Sequence, residues 1–154
     1  MKRYFSASLI LLSLLFLFSC SENSAHDYIC TEFDEMRNTL GGNVIIYTPQ
    51  STDSSDALIS LYGKDGALPD ELDMVDYAVV WYSDRLECAD AAIFHLINAT
   101  DGASVAKMCM RRASTLKTAA GIDMEIYSNG HFVCAYTKTS EELEYAVKSI
   151  INTK

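Results

Sequence analysis

The chain contains an uncharged run of aromatic, alanine and valine residues, Tyr77-Ala78-Val79-Val80-Trp81-Tyr82. Valine and aromatic residues are typical of strands, so this run predicts a β-strand. The apolar run 91–97 predicts a second strand, and the polar segment between the two is short enough for antiparallel pairing. Both runs are apolar at odd and even positions, so each face of the resulting sheet needs a cover.

Three more strands are predicted on either side of this pair. A β-branched run at 44–47 predicts a short strand. The runs 124–127 and 132–136 flank Asn129-Gly130, which predicts a β-hairpin with a type I′ turn.

Apolar residues at helical spacing predict four helices. The first two cover 26–40 and 56–62, and the third begins at an N-cap on Asp101 and ends at Gly121. The last begins at a capping box of Thr139 and Glu142 and runs to the C-terminus. These elements predict an α+β domain, in which amphipathic helices pack on a mainly antiparallel sheet as a layered sandwich.

The N-terminus has the layout of a secretory signal. A basic start, Lys2-Arg3, precedes an apolar core of about 14 residues, which is short of the ~20 that span a bilayer. We therefore expect a signal peptide at 1–19, a tether at 20–25 and one α+β domain at 26–154.

Leu17-Phe18-Ser19-Cys20 resembles the lipobox of bacterial lipoproteins. The resemblance implies that Cys20 becomes the acylated first residue and anchors the protein in the membrane lipid on the extracytoplasmic side. An acyl anchor with two or more chains, such as palmitate, binds stably. An ordinary signal peptide with an unmodified cysteine is the alternative.

The chain is acidic, with 12 Lys+Arg, 21 Asp+Glu and a formal net charge of −9. This charge excludes nucleic acid as a partner, because nucleic-acid binding needs a basic surface. It also opposes contact with anionic lipid, so membrane association depends on the acyl anchor.

Three segments resemble an uncharacterised family of small lipoproteins from clostridia-like Gram-positive bacteria, which is described as a domain of unknown function. They are Ala57-Leu58-Ile59-Ser60-Leu61-Tyr62-Gly63, Asp76-Tyr77-Ala78-Val79-Val80 and Ala89-Asp90-Ala91-Ala92-Ile93-Phe94. The resemblance spans about 56–151 and implies a fold and a compartment, but no catalytic residue. His95 stands where that family usually has lysine, and the four downstream cysteines are not typical of it.

An even number of cysteines follows Cys20, and in an exported protein this predicts disulfides among Cys30, Cys88, Cys109 and Cys134. Three connectivities fit, and burial as free thiols is the alternative for Cys109 and Cys134. The spacing predicts neither a metal site nor a cofactor.

We assign no catalytic residue from the sequence. A nucleophilic Cys134 activated by His131 or His95 would require direct contact, and packed or solvated histidines are the simpler interpretation. The acidic segment 64–76 is interpreted as a solvated loop without calcium-loop spacing. The cationic stripe of Lys107, Arg111 and Arg112 is interpreted as a solvated helix face that could dock an acidic partner.

The remaining question is what covers the second face of the sheet. If the helix at 26–40 lies elsewhere, we expect Tyr77, Trp81 or Tyr82 to form an exposed interaction surface. The sequence thus predicts a membrane-anchored, non-enzymatic lipoprotein that binds a protein or a cell-surface ligand. A small extracytoplasmic hydrolase and an accessory subunit of a membrane complex are the alternatives.

Overall fold

A computed structural model describes residues 25–51, 55–83 and 89–152 of the chain. Within them, the strands form one antiparallel sheet in the order β1-β2-β3-β5-β4. The strands are β1 Asn43–Tyr47, β2 Val75–Tyr82, β3 Asp90–Leu96, β4 Met124–Asn129 and β5 Phe132–Thr137. The predicted antiparallel pairing of the two central strands is confirmed, with Val80 opposite Ala92.

Helices pack on both faces of this sheet. They are α1 at 25–40, α2 Ser55–Tyr62, α3 Gly102–Ala120 and α4 Glu141–Asn152, with short 3-10 helices at Asp70–Met74 and Ala99–Asp101. The predicted α+β sandwich is confirmed. The segment 64–76, expected to be irregular, contains the first 3-10 helix and buries Leu72 in the core.

We call the side of the sheet that carries α2 and α3 the first face. Its strands contribute their even-numbered apolar positions in β2 and β3, because successive side chains alternate between faces. The buried core here includes Leu58, Tyr62, Val80, Phe94, Val105, Met108 and Leu116.

We call the opposite side the second face, and helices α1 and α4 cover it. The sheet contributes Tyr77, Val79, Trp81, Ile93 and Tyr136; α1 contributes Ile29, Phe33 and Met36; α4 contributes Leu143, Val147 and Ile150. Both faces are therefore hydrophobic core, which explains why the central strands are apolar on both sides.

The predicted β4–β5 hairpin is confirmed, but its turn lies one residue later than expected. Asn129 pairs with Phe132, so the loop residues are Gly130 and His131. Among the described residues of this turn only Gly130 has a positive φ, of 57°. One positive φ at the first loop position fits a type II′ turn, whereas type I′ needs two.

The start of α4 also differs by one residue from the prediction. The side-chain Oγ of Ser140 accepts a hydrogen bond from the Leu143 backbone N–H at 3.1 Å, so Ser140 is the N-cap in place of Thr139. At the start of α3 the cap position falls on Asp101 as predicted, although its side chain makes no capping bond.

Candidate functional site

An open groove of about 540 Å³ runs between α1 and α4 on the outside of the second face. We call it the α1–α4 groove. Its lining combines apolar side chains with acidic and polar ones: Glu32, Glu35, Met36, Thr39, Leu40, Glu141, Glu142, Tyr145, Ala146, Ser149 and Ile150. The groove forms because each helix packs its own apolar stripe onto the sheet, while Ala146 is too small to fill the space that remains between the helices.

The charge of this groove has one sign. Glu35, Glu141 and Glu142 are exposed, Glu32 is half-buried, and none of the described residues that line the groove is basic. In the part of the chain that the structure describes, none of these four glutamates forms a salt bridge. Tyr145 is 78% exposed at the same site. The groove therefore offers unpaired carboxylates and an open aromatic ring beside an apolar floor.

A second open space lies on the other side of the molecule, between the loop 64–71 and α3, and we call it the α3 cleft. Its volume is about 600 Å³, and its charged lining has both signs: Lys64, Asp65, Asp70, Glu71, Lys107 and Arg111. Arg111 donates two hydrogen bonds to the Glu71 carboxylate, at 2.7 and 3.0 Å. This pairing lowers the pKa of Glu71 and leaves little net charge to attract a partner.

The predicted cationic stripe does not act as one surface. Arg111 is held by Glu71, and Arg112 turns inward, where its Nε and Nη2 donate to Asp90 Oδ2 at 2.9 and 2.7 Å. Asp90 is fully buried, and burial raises the pKa of its carboxyl although Arg112 opposes the rise. Of these three cations, Lys107 is exposed, whereas Arg111 and Arg112 are half-buried.

The predicted exposed aromatic surface is wrong for Tyr77 and Trp81. Trp81 is 0% exposed and Tyr77 is 6% exposed, because α1 and α4 cover this face. The indole N–H of Trp81 donates to the Gly41 carbonyl at 2.8 Å, just after α1 ends. Tyr82, which points to the other face by strand alternation, is half-buried.

All three histidines of the chain gather at the end of the second face where α1 begins. His95 stacks on Tyr77 with ring centroids 4.7 Å apart, His131 stacks on His95 at 5.7 Å, and His26 meets the edge of Tyr77 at 4.7 Å. These distances are those of favourable aromatic packing. Among the described residues, no group of three or more His, Cys, Asp or Glu side chains could hold a metal ion.

Among the described residues, Cys30 contacts a histidine, whereas the pair of Cys134 with His131 or His95 was considered from the sequence and not assigned. Cys30 Sγ lies 3.6 Å from His26 Nε2, one turn away on α1, and His26 Nδ1 lies 3.3 Å from Asp27 Oδ1. Burial, followed by the charges of Asp27 and Asp34, raises the pKa of the Cys30 thiol. A nucleophilic cysteine needs the opposite shift of its pKa.

Within the described residues, Cys30, Cys109 and Cys134 are free thiols. Cys109 lies in the core of the first face and Cys134 in the core of the second, so the sheet separates them. Burial raises the pKa of Cys134 to about 12 and that of Cys109 further. The predicted disulfides do not form among these three, while Cys88, like Cys20, lies outside the described residues.

Comparison with known proteins identifies no relative: the chain matches no protein-family profile, no curated protein and no solved structure. None of the described helices combines the length and the apolar character needed to cross a bilayer. The sequence did not predict the groove, whose lining comes from two helices far apart along the chain.

Proposed function

We propose that the chain is a lipid-anchored extracytoplasmic lipoprotein that acts as a non-enzymatic binding module, with the α1–α4 groove as its binding surface. The observation that carries the proposal is this open groove, whose carboxylates have no partner among the described residues. Exposed apolar surface rimmed by polar side chains is a feature of interaction sites.

Anchoring at Cys20 would leave the groove separated from the membrane. The described part of α1 begins at residue 25, next to the proposed tether. The groove residues on this helix start at Glu32 and end at Leu40. At 1.5 Å per residue, the groove lies about 10–20 Å along the helix from the tether, which leaves room between it and the membrane.

The proposed relationship to small lipoproteins of Gram-positive bacteria fits the same arrangement. The segments that carry it belong to α2, β2 and β3, and they form the centre of the domain. Residues of this kind determine the fold, whereas the groove belongs to α1 and α4. Proteins of one fold can therefore differ in what they bind.

A thiol-dependent hydrolase is the second candidate, favoured by the contact between Cys30 and His26. The raised pKa of Cys30 opposes it, because the thiolate is the nucleophile. Iodoacetamide labelling at pH 7 separates the two. We expect Cys30 to react no faster than a free cysteine in a peptide, and faster labelling that is lost in His26→Ala would favour the hydrolase.

The anchor is tested by feeding cells an alkyne-tagged fatty acid and fractionating them. We expect the wild-type chain to carry the tag and to sediment with membranes, and Cys20→Ala to lose both properties. Cys30→Ala is the matched control and should keep both. A Cys20→Ala chain that still carries the tag, or that stays in the membrane without it, would contradict lipid anchoring at this residue.

A further inference from the structure

We propose that the α1–α4 groove binds a cationic amphipathic helix of a partner protein. This inference rests on the binding role proposed above and specifies the chemistry of the partner. It follows from the charge, the shape and the aromatic rim of the groove.

The acidic side chains of the groove favour a partner with cationic side chains. Several carboxylates elsewhere on this acidic domain have cationic partners: Glu71 binds Arg111, Asp90 binds Arg112, and Glu125 binds Lys138. The groove instead collects Glu32, Glu35, Glu141 and Glu142 from two helices, with no described cation to neutralise them. Lysine or arginine side chains from a partner would relieve this repulsion and steer the encounter.

The shape of the groove favours a helical segment of the partner. Two helices form its walls, and its floor includes Met36, Leu40, Ala146 and Ile150. An amphipathic helix binds such a trough through apolar residues spaced at i, i+3, i+4 and i+7. Met36 adds an adaptable surface at the floor, because its unbranched thioether fills irregular gaps.

The aromatic rim supports the same partner. Tyr145 is 78% exposed, more than any of the other large hydrophobic side chains that the described surface presents. A lysine or arginine placed over its ring gains a cation–π contact while its aliphatic stem packs on the apolar floor. An anionic or purely apolar partner would not gain the cation–π contact.

The same charges disfavour a second copy of the chain as the occupant. A two-fold contact places the same patch on both subunits, so the four groove glutamates of one copy would face those of the other. Like charges facing each other across an interface are strongly unfavourable. The occupant that the groove fits is therefore a protein of opposite charge.

Binding of a synthetic helix tests the proposal. The full-length protein is held in nanodiscs of neutral phosphatidylcholine. The probe is a labelled helical peptide about four turns long, with leucines on one face and lysines on either side of that face. Its fluorescence anisotropy measures binding. Empty nanodiscs serve as the blank. A peptide in which glutamate replaces every lysine is the charge control.

We expect the lysine peptide to bind the wild-type protein and Glu32→Lys/Glu35→Lys to weaken that binding by about tenfold or more. The matched control, Asp70→Lys/Asp73→Lys, makes the same charge change at the same spacing on the opposite side and should weaken binding less than threefold. The milder Glu32→Gln/Glu35→Gln should weaken binding several-fold, and circular dichroism checks that each variant is folded.

Three results would overturn the inference. The first is a glutamate peptide that binds the wild-type protein as tightly as the lysine peptide does. The second is an equal loss of peptide affinity in Glu32→Lys/Glu35→Lys and Asp70→Lys/Asp73→Lys. The third is a wild-type dimer that Glu32→Lys/Glu35→Lys dissociates. Each can occur while Cys20 still carries the fatty-acid tag, so failure of the helix proposal is distinguishable from failure of the lipoprotein proposal.

Discussion

The open spaces on the two sides of the sheet differ in the charges of the side chains that line them. On the first face, the α3 cleft contains acids and bases that bind each other, as in the Arg111–Glu71 pair, and a buried Asp90–Arg112 pair lies beneath. On the second face, the α1–α4 groove is similar in volume but carries acids alone. The comparison teaches that two open spaces of similar size can differ in net charge, and the proposed binding role depends on that difference.

The largest expected effect tests whether α1 belongs to the core of the second face. Phe33 is fully buried, so Phe33→Ala should lower the free energy of unfolding by about 3–5 kcal/mol. Tyr145→Ala, on the same face but exposed, should change it by less than about 0.5 kcal/mol. Denaturant unfolding of the full chain measures both, and a loss below about 1 kcal/mol for Phe33→Ala would mean that α1 is not docked.

The next effect compares the two ion pairs of the first face. Arg112→Met leaves the fully buried Asp90 without its cation and should cost about 3 kcal/mol. Arg111→Met breaks only the more exposed pair with Glu71 and should cost about 1 kcal/mol or less. Equal losses in the two variants would remove the distinction between the buried and the surface pair.

The smallest effect concerns the edge of the second face. Hydrogen bonds from Lys138, Tyr127 and Tyr136 lower the pKa of Glu125 to about 2. This group therefore stabilises the fold fully above its unfolded pKa near 4.5, and the contribution is lost as the pH falls towards 2. Because water screens the site partly, we expect about 1 kcal/mol.

Glu125→Gln checks this prediction. The wild-type chain should be more stable than the variant at pH 6, and the difference should shrink as the pH falls from 4.5 to 2.5. A difference in the free energy of unfolding that stays constant over this range would contradict the assigned pKa. Glu141→Gln, whose carboxylate has no described partner, is the control.

Much of the fold could be predicted because its signals are local. The apolar run from Tyr77 to Tyr82 predicts a strand, and Gly130 between two apolar runs predicts a hairpin. Both signals depend only on residues close together in the sequence. The one-residue errors at the β4–β5 turn and at Ser140 have a physical reason. The register of strand pairing and the choice of N-cap depend on contacts with residues that lie close in space. Two adjacent residues can therefore fit the same turn or cap position from sequence alone.

The site could not be predicted, because it joins distant parts of the chain. Glu35 of α1 and Glu142 of α4 line the same groove, and each is an exposed residue in its own helix. Likewise, alternation showed that Trp81 needed a cover, but only the docking of α1 revealed which element supplies it. Sequence periodicity specifies which side chains are apolar, while tertiary packing specifies what they meet.

Photo-crosslinking tests the central claim, that the second face carries the binding surface, most directly. A lysine-rich amphipathic peptide that carries a benzophenone group is bound to the full-length protein in neutral nanodiscs. The complex is irradiated, and mass spectrometry locates the crosslinked residues. We predict adducts confined to the α1 and α4 residues that line the groove, between 32 and 40 and between 141 and 150. Adducts concentrated on α2, α3 or the loop 64–71 would contradict the account.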